Sequence, residues 1–97
     1  MNTMEIKELI KRRRGQMLVH SYLYYHMDSP IISDEQWQNW ANELTQLQQA
    51  NPKCCKIKYY DKQFMDWDGS TGMHLPSNII IQQKAEQVLK AHELNNA

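Results

Sequence analysis

The chain has 97 residues, 11 basic against 11 acidic side chains, and 41% apolar residues. That is enough apolar material for one small core, so a single domain over residues 1–97 is expected. A formal net charge of zero argues against a general nucleic-acid binder, which needs a clear basic excess to neutralise phosphates.

The first segment reads as a helix over residues 3–27. Ile6, Ile10, Met17, Tyr24 and Met27 recur on one stripe, widened by Leu9, Leu18 and Tyr22. Thr3 is the expected N-cap, with Glu5 and Glu8 near the positive end of the helix dipole. The run Lys11-Arg12-Arg13-Arg14 falls within this helix and is expected as a solvated face. Gly15 marks either a bend or a close approach of a neighbour. The helix must end before Pro30, because the residue preceding a proline disfavours helical angles.

Ser29-Pro30-Ile31-Ile32 is then a short connector. Ser33 followed by Gln36 has capping-box spacing and opens a second helix from Asp34 to about Ala50. Its apolar stripe is Trp37, Trp40, Ala41, Leu44 and Leu47, and Asn51-Pro52 ends it. Two antiparallel helices joined this closely form an αα-hairpin over residues 1–52.

Residues 53–76 are expected to be irregular. Within them, residues 54–60 are compatible with a short strand, and Asp61 with the cap of a helical turn through Phe64 and Trp67. Asp68-Gly69-Ser70-Thr71-Gly72 is a turn, and Met73-His74-Leu75-Pro76 closes the loop, with an exposed apolar tip at Met73-His74-Leu75 as the alternative. Residues 77–97 hold a C-terminal amphipathic helix capped by Ser77 or Asn78. Ile81, Ala85, Val88, Leu89 and His92 form its buried face, with a frayed tail at Asn95-Asn96-Ala97. The consecutive isoleucines 79–81 suggest a first turn covered on more than one side.

Chemistry-bearing residues concentrate at the hairpin joint. Residues 20–40 hold three tyrosines, two histidines, two tryptophans and three acidic side chains. Two readings stand: the rings fill a core, or some line a surface groove that clasps a flat ligand. The four histidines and the adjacent Cys54 and Cys55 lack metal-ligand spacing. Neighbouring cysteines rarely bond to each other, which suits a reducing compartment. No apolar run reaches the roughly 18–20 residues of a membrane span, and the N-terminus lacks the order of a secretory signal. A cytoplasmic protein is expected.

Tyr22-Leu23-Tyr24-Tyr25, then Asp28-Ser29-Pro30-Ile31-Ile32-Ser33-Asp34, then Trp37 carry a resemblance. Over residues 9–52 the chain resembles the small N-terminal helical domain, domain Ia, of NAD-dependent bacterial DNA ligases. The fold this implies is mainly α: a hairpin of the Ia type, then the irregular segment and the last helix. In those ligases the domain grips the nicotinamide mononucleotide (NMN) half of NAD, with tyrosines stacking on the ring and histidine and aspartates making polar contacts. The resemblance places Tyr24 on the family's first tyrosine, Asp34 on its first aspartate, and Trp37 on a second tyrosine. Tyr25 stands where the family has histidine and Gln38 where it has a second aspartate, so two polar partners are changed.

Ligase chemistry also needs a nucleophilic lysine in a K-x-D-G motif. Here Asp68-Gly69 is preceded by Asp66 in the lysine's place, so no enzyme activity of the chain alone is expected. The expectation is a free-standing, non-catalytic module that engages another protein, such as a ligase or other nucleotide-handling enzyme. Such stand-alone proteins are associated with phages and mobile elements. The alternatives are a binder of NAD or NMN through a reduced site formed by Tyr24, Tyr25, Asp34, Trp37 and Gln38, or an accessory subunit of a split nucleotidyltransferase. No resident cofactor, metal, membrane or direct nucleic-acid partner is expected.

Overall fold

The computed structural model describes residues 1–96. Four α-helices follow one another: α1 (Thr3–Tyr25), α2 (Asp34–Ala50), a single-turn α3 (Asp61–Phe64) and α4 (Ile79–Asn95). A short 3-10 turn, Pro52–Cys55, follows α2. The chain is mainly α as expected, and no strand occurs among the described residues.

The helix starts follow local chemistry. Asn2, not Thr3, caps α1, its Oδ1 accepting from Glu5 N–H at 2.9 Å. Ser33 Oγ accepts from Gln36 N–H at 3.0 Å, and Asn78 Oδ1 from Ile81 N–H at 3.0 Å. Each satisfies a donor that the first helical turn leaves open. Beyond the end of α1 the chain turns at a left-handed residue, Asp28 (φ 50°), a conformation aspartate tolerates better than most residues. Ser29 N–H then closes onto the Leu23 carbonyl at 2.9 Å, satisfying one of the carbonyls that the helix end leaves open. This turn lets Pro30 lead straight into α2.

α1 is the central element, packed against both α2 and α4. Ile10, Met17 and Leu18 join Ala41, Leu44, Phe64, Leu75 and Ile81 in the main core. Val19 and Leu23 meet Ala85 in a second cluster, flanked by Met27, Ile31, Val88 and Leu89. Burial on two sides explains why the single expected stripe is incomplete, and Tyr24 lies outside the core at 48% exposure. Gly15 leaves α1 unbroken and admits the Tyr59 hydroxyl, which would stand 3.2 Å from a Cβ there. It is a close approach, not a bend.

Arg14 departs from the expected solvated face, with no exposed surface at all. Its guanidinium donates to Gln48 Oε1 (2.9 Å), the Tyr59 carbonyl (2.8 Å), Asp61 Oδ1 (2.7 Å) and the Cys55 carbonyl (3.0 Å). It therefore ties the irregular segment to both hairpin helices. The expected strand at 54–60 is absent for a related reason. The backbone wraps Asp61, whose carboxylate accepts from the N–H groups of Ile57, Lys58 and Tyr59, with Lys58 and Tyr60 in the left-handed region. Burial pushes the Asp61 pKa up, but these N–H bonds and Arg14 outweigh it and hold the carboxyl below its ordinary value.

α4 differs from expectation at both ends. Ile81 and Ala85 are buried, but Ile79 and Ile80 stand 62% and 68% exposed, and His92 is exposed. Only one face of the first turn meets α1. The helix continues to Asn95, into the expected frayed tail, of which Ala97 lies outside the described residues. No helix among the described residues is long and apolar enough to cross a membrane.

Candidate functional site

An open cleft of about 190 Å³ lies at the hairpin joint, and Tyr24, Tyr25, Asp34, Trp37 and Gln38 all line it. The end of α1 supplies His20, Tyr24 and Tyr25; the connector supplies Pro30, Ile32 and Ser33. On α2, Asp34, Trp37 and Gln38 fall at i, i+3 and i+4 and share one face. Ser70, from the loop after α3, closes one side.

The tyrosine rings sit edge to face at 4.8 Å between centroids, and both are more than a third exposed. They form a wall open to solvent, not a core. Trp37 is half-buried: its indole N–H donates to Ser21 Oγ at 3.2 Å, and its ring meets Trp67 edge-on at 6.1 Å. The rings therefore divide between the two readings, with Trp37 bridging core and cleft. Trp40 packs against the main core and does not line the cleft.

The polar groups differ in how much bonding capacity they keep. Asp34 is exposed, and no hydrogen bond to its carboxylate occurs among the described residues. Gln38 donates its amide to Asn42 Oδ1 (2.9 Å) and the Gly69 carbonyl (3.2 Å). The Tyr25 hydroxyl pairs with Thr71 Oγ1 at 3.0 Å. Tyr25 and Gln38 are thus the two cleft residues hydrogen-bonded to the 68–72 loop.

That loop is a structured wall. Asp68 Oδ1 accepts from the N–H (2.9 Å) and hydroxyl (2.7 Å) of Ser70, as a turn of this composition predicts. Gly69 (φ +80°) needs glycine's freedom and lies against Ala41 and Thr45. Gly72 lies so close to α1 that a Cβ there would stand 2.0 Å from Ser21 Oγ. The Trp67 indole donates to the Thr71 carbonyl at 2.8 Å.

His20 was not among the sequence candidates, although it precedes Tyr24 by one helical turn and that spacing points to it. Its ring packs on Trp40 at 5.5 Å, and its Nδ1 is buried without a partner. Burial lowers its pKa, because the charged imidazolium is disfavoured away from water. Ser70 carries no comparable local signal, because its contact with the cleft spans more than thirty residues of chain. Among the described residues, no group of three or more His, Cys, Asp or Glu is placed to hold a metal ion.

The model of the DNA ligase-like, N-terminal NAD+-binding domain matches residues 3–61. DNA ligases from Syntrophomonas wolfei and Bacteroides fragilis are each 38% identical over 50 residues, covering 52% of this chain and 8% of the relative. The DNA ligase of Coprothermobacter proteolyticus is 41% identical over 49 residues, covering 50% of this chain and 7% of its own length. The chain therefore spans less than a tenth of these relatives, and the loop that walls the cleft lies beyond the matched region. No solved structure matches. With a family match over more than half of its residues, the chain belongs to the DNA ligase-like, N-terminal NAD+-binding domain family.

Proposed function

We propose that the chain is a non-catalytic module that binds the NMN half of NAD in the cleft at the hairpin joint. The observation that carries this reading is the convergence of Tyr24, Tyr25, Asp34, Trp37 and Gln38 on one open cavity. The exposed Tyr24 ring offers a stacking face, and the unpartnered Asp34 carboxylate accepts from ribose hydroxyls or the carboxamide. Gln38 and Tyr25 already spend bonding capacity on the loop, so the expected affinity is modest, a Kd on the order of 0.1–1 mM. No lysine lines the cleft, so adenylyl chemistry has to come from a partner domain or protein.

Calorimetric titration with NMN, NAD and AMP tests this. Saturable heat with the first two and none with AMP, abolished by Asp34→Ala, is the expected result. Absence of heat at millimolar NMN would overturn it.

A second reading, a module that engages another protein, is favoured by exposed apolar side chains beyond the family match: Met65, Met73, Ile79 and Ile80. Its natural test partner is a bacterial DNA ligase shorn of its own N-terminal domain. Binding lost in Met73→Asp or Ile80→Asp but kept in Asp34→Ala supports this reading, and no complex at micromolar concentrations removes it.

A further inference from the structure

We infer that the groove between α1 and α4 is a docking site for an acidic, amphipathic helical segment of a partner protein. It lies apart from the mononucleotide cleft, sharing only His20 among the residues that line the two. It stands whether or not that cleft binds its ligand.

The groove forms where α4 packs on α1. Gly15 presents no side chain there, and an open trough of about 380 Å³ remains. Along α1 it runs from Glu8 to His20, about 18 Å or three helical turns, which is the length of a short docked helix. Val19, Val88 and the half-buried Tyr59 ring give it an apolar floor. Its rim is basic: Lys11 and Arg12 from α1 and Lys84 from α4 stand against one carboxylate, Glu8. All three cations are exposed. Among the described residues none of them is ion-paired, in contrast to Arg13 and Arg14. The Lys11 ammonium lies over the Tyr59 ring at 5.4 Å, which holds the charge above the floor and leaves its protons able to bond.

An apolar floor between basic edges fits an occupant that is apolar along one side and acidic along its margins. A helix with aliphatic residues at i, i+3, i+4 and i+7 and carboxylates flanking them has that form. A free phosphate fits less well. The two helices that wall the groove do so with interior turns, whose backbone N–H groups are spent on carbonyls four residues back. The groove therefore offers an anion no backbone donors, and in so open a site salt screens the side-chain charges. A nucleic acid is disfavoured too, because three cations neutralise few phosphates and the chain as a whole has no basic excess. In a docked acidic helix the apolar contact supplies affinity, while the charged rim sets which partner is accepted.

The test is fluorescence anisotropy with a labelled peptide of about sixteen residues that places leucines on one helical face and glutamates beside them. The expected result is saturable binding with a Kd of roughly 10–100 µM, weakened about tenfold or more in the double variant Lys11→Glu with Lys84→Glu. The double variant Lys53→Glu with Lys90→Glu changes the net charge equally at exposed positions outside the groove, and should bind nearly as the wild type does. The groove variant should in turn take up the peptide whose glutamates are replaced by lysines, a gain that loss of folding cannot imitate. No binding at millimolar peptide, equal losses in the two double variants, or equal binding of a peptide of the same composition in scrambled order would overturn the assignment. Tighter binding of a DNA duplex, lost in the same groove variant, would overturn it in favour of a nucleic-acid surface.

Discussion

Replacing Arg14 with methionine isolates the contact that joins the irregular segment to the hairpin. The guanidinium is fully buried and makes four hydrogen bonds, to Gln48, the Tyr59 and Cys55 carbonyls, and Asp61. Methionine fills much of the space but leaves those acceptors without a donor. Unsatisfied buried acceptors cost about 1–3 kcal/mol each, and removing one partner of a buried ion pair costs roughly 3–5 kcal/mol. Asp61 keeps three backbone N–H bonds and its side chain is 34% exposed, so water recovers part of the loss. About 3–4 kcal/mol remains, a large share of the roughly 5–10 kcal/mol that holds a domain of this size. The adjacent Arg13 supplies the control. Its partner Glu43 is 40% exposed, and pairs of that kind contribute below about 1 kcal/mol. Urea unfolding followed by circular dichroism should show Arg14→Met with a midpoint lower by about 2–3 M and Arg13→Met nearly unchanged. Equal, small losses for the two variants would refute the assignment of Arg14 as the clamp.

Three further outcomes follow from the cleft and its wall. Gly72→Ala drives a Cβ into Ser21 Oγ and should destabilise by about 1–3 kcal/mol, while weakening NMN binding as the loop lifts; thermal unfolding and titration read the two effects. Thr71→Val removes the hydroxyl that holds Tyr25 and should weaken NMN binding roughly two- to fivefold, since the ring must be ordered on binding, with Thr71→Ser restoring it. The pH dependence comes from His20, whose pKa is lowered in the folded chain. The unfolded chain then takes up the proton more readily, so stability is intact above the unfolded value of about 6.5 and falls as pH drops through it. Unfolding midpoints at pH 7.5 and 5.5 should differ less in His20→Gln than in the wild type.

The parts legible in sequence were those set by local chemistry. Ser33 and Asn78 announce their helices through side chains that reach only three residues ahead, and Pro30 and Pro52 bound the elements they interrupt. The family pattern across Tyr24, Asp34 and Trp37 picked out residues that the hairpin brings to one cleft. What escaped depends on contacts distant in sequence. The burial of Arg14 requires carbonyls at 55 and 59, and nothing in the run 11–14 separates it from its exposed neighbours. The same holds for the wall: Thr71 meets Tyr25 and Gly69 meets Gln38 across 46 and 31 residues. α1 hides its faces for a third reason. A helix packed on two sides has no single stripe, so Tyr24 was assigned to the core stripe although it lies beyond it. In α4 the opposite holds, with Ile79 and Ile80 apolar yet outside the packed face.

The most direct test of the mononucleotide cleft is a titration followed by two-dimensional NMR of the ¹⁵N-labelled chain. NMN should shift the Trp37 indole N–H and the backbone amides of residues 24, 25, 34, 38 and 70, leaving the amides of α4 unmoved. Shifts confined to the surface around Met65, Met73 and Ile80, or none at millimolar NMN, would contradict the account.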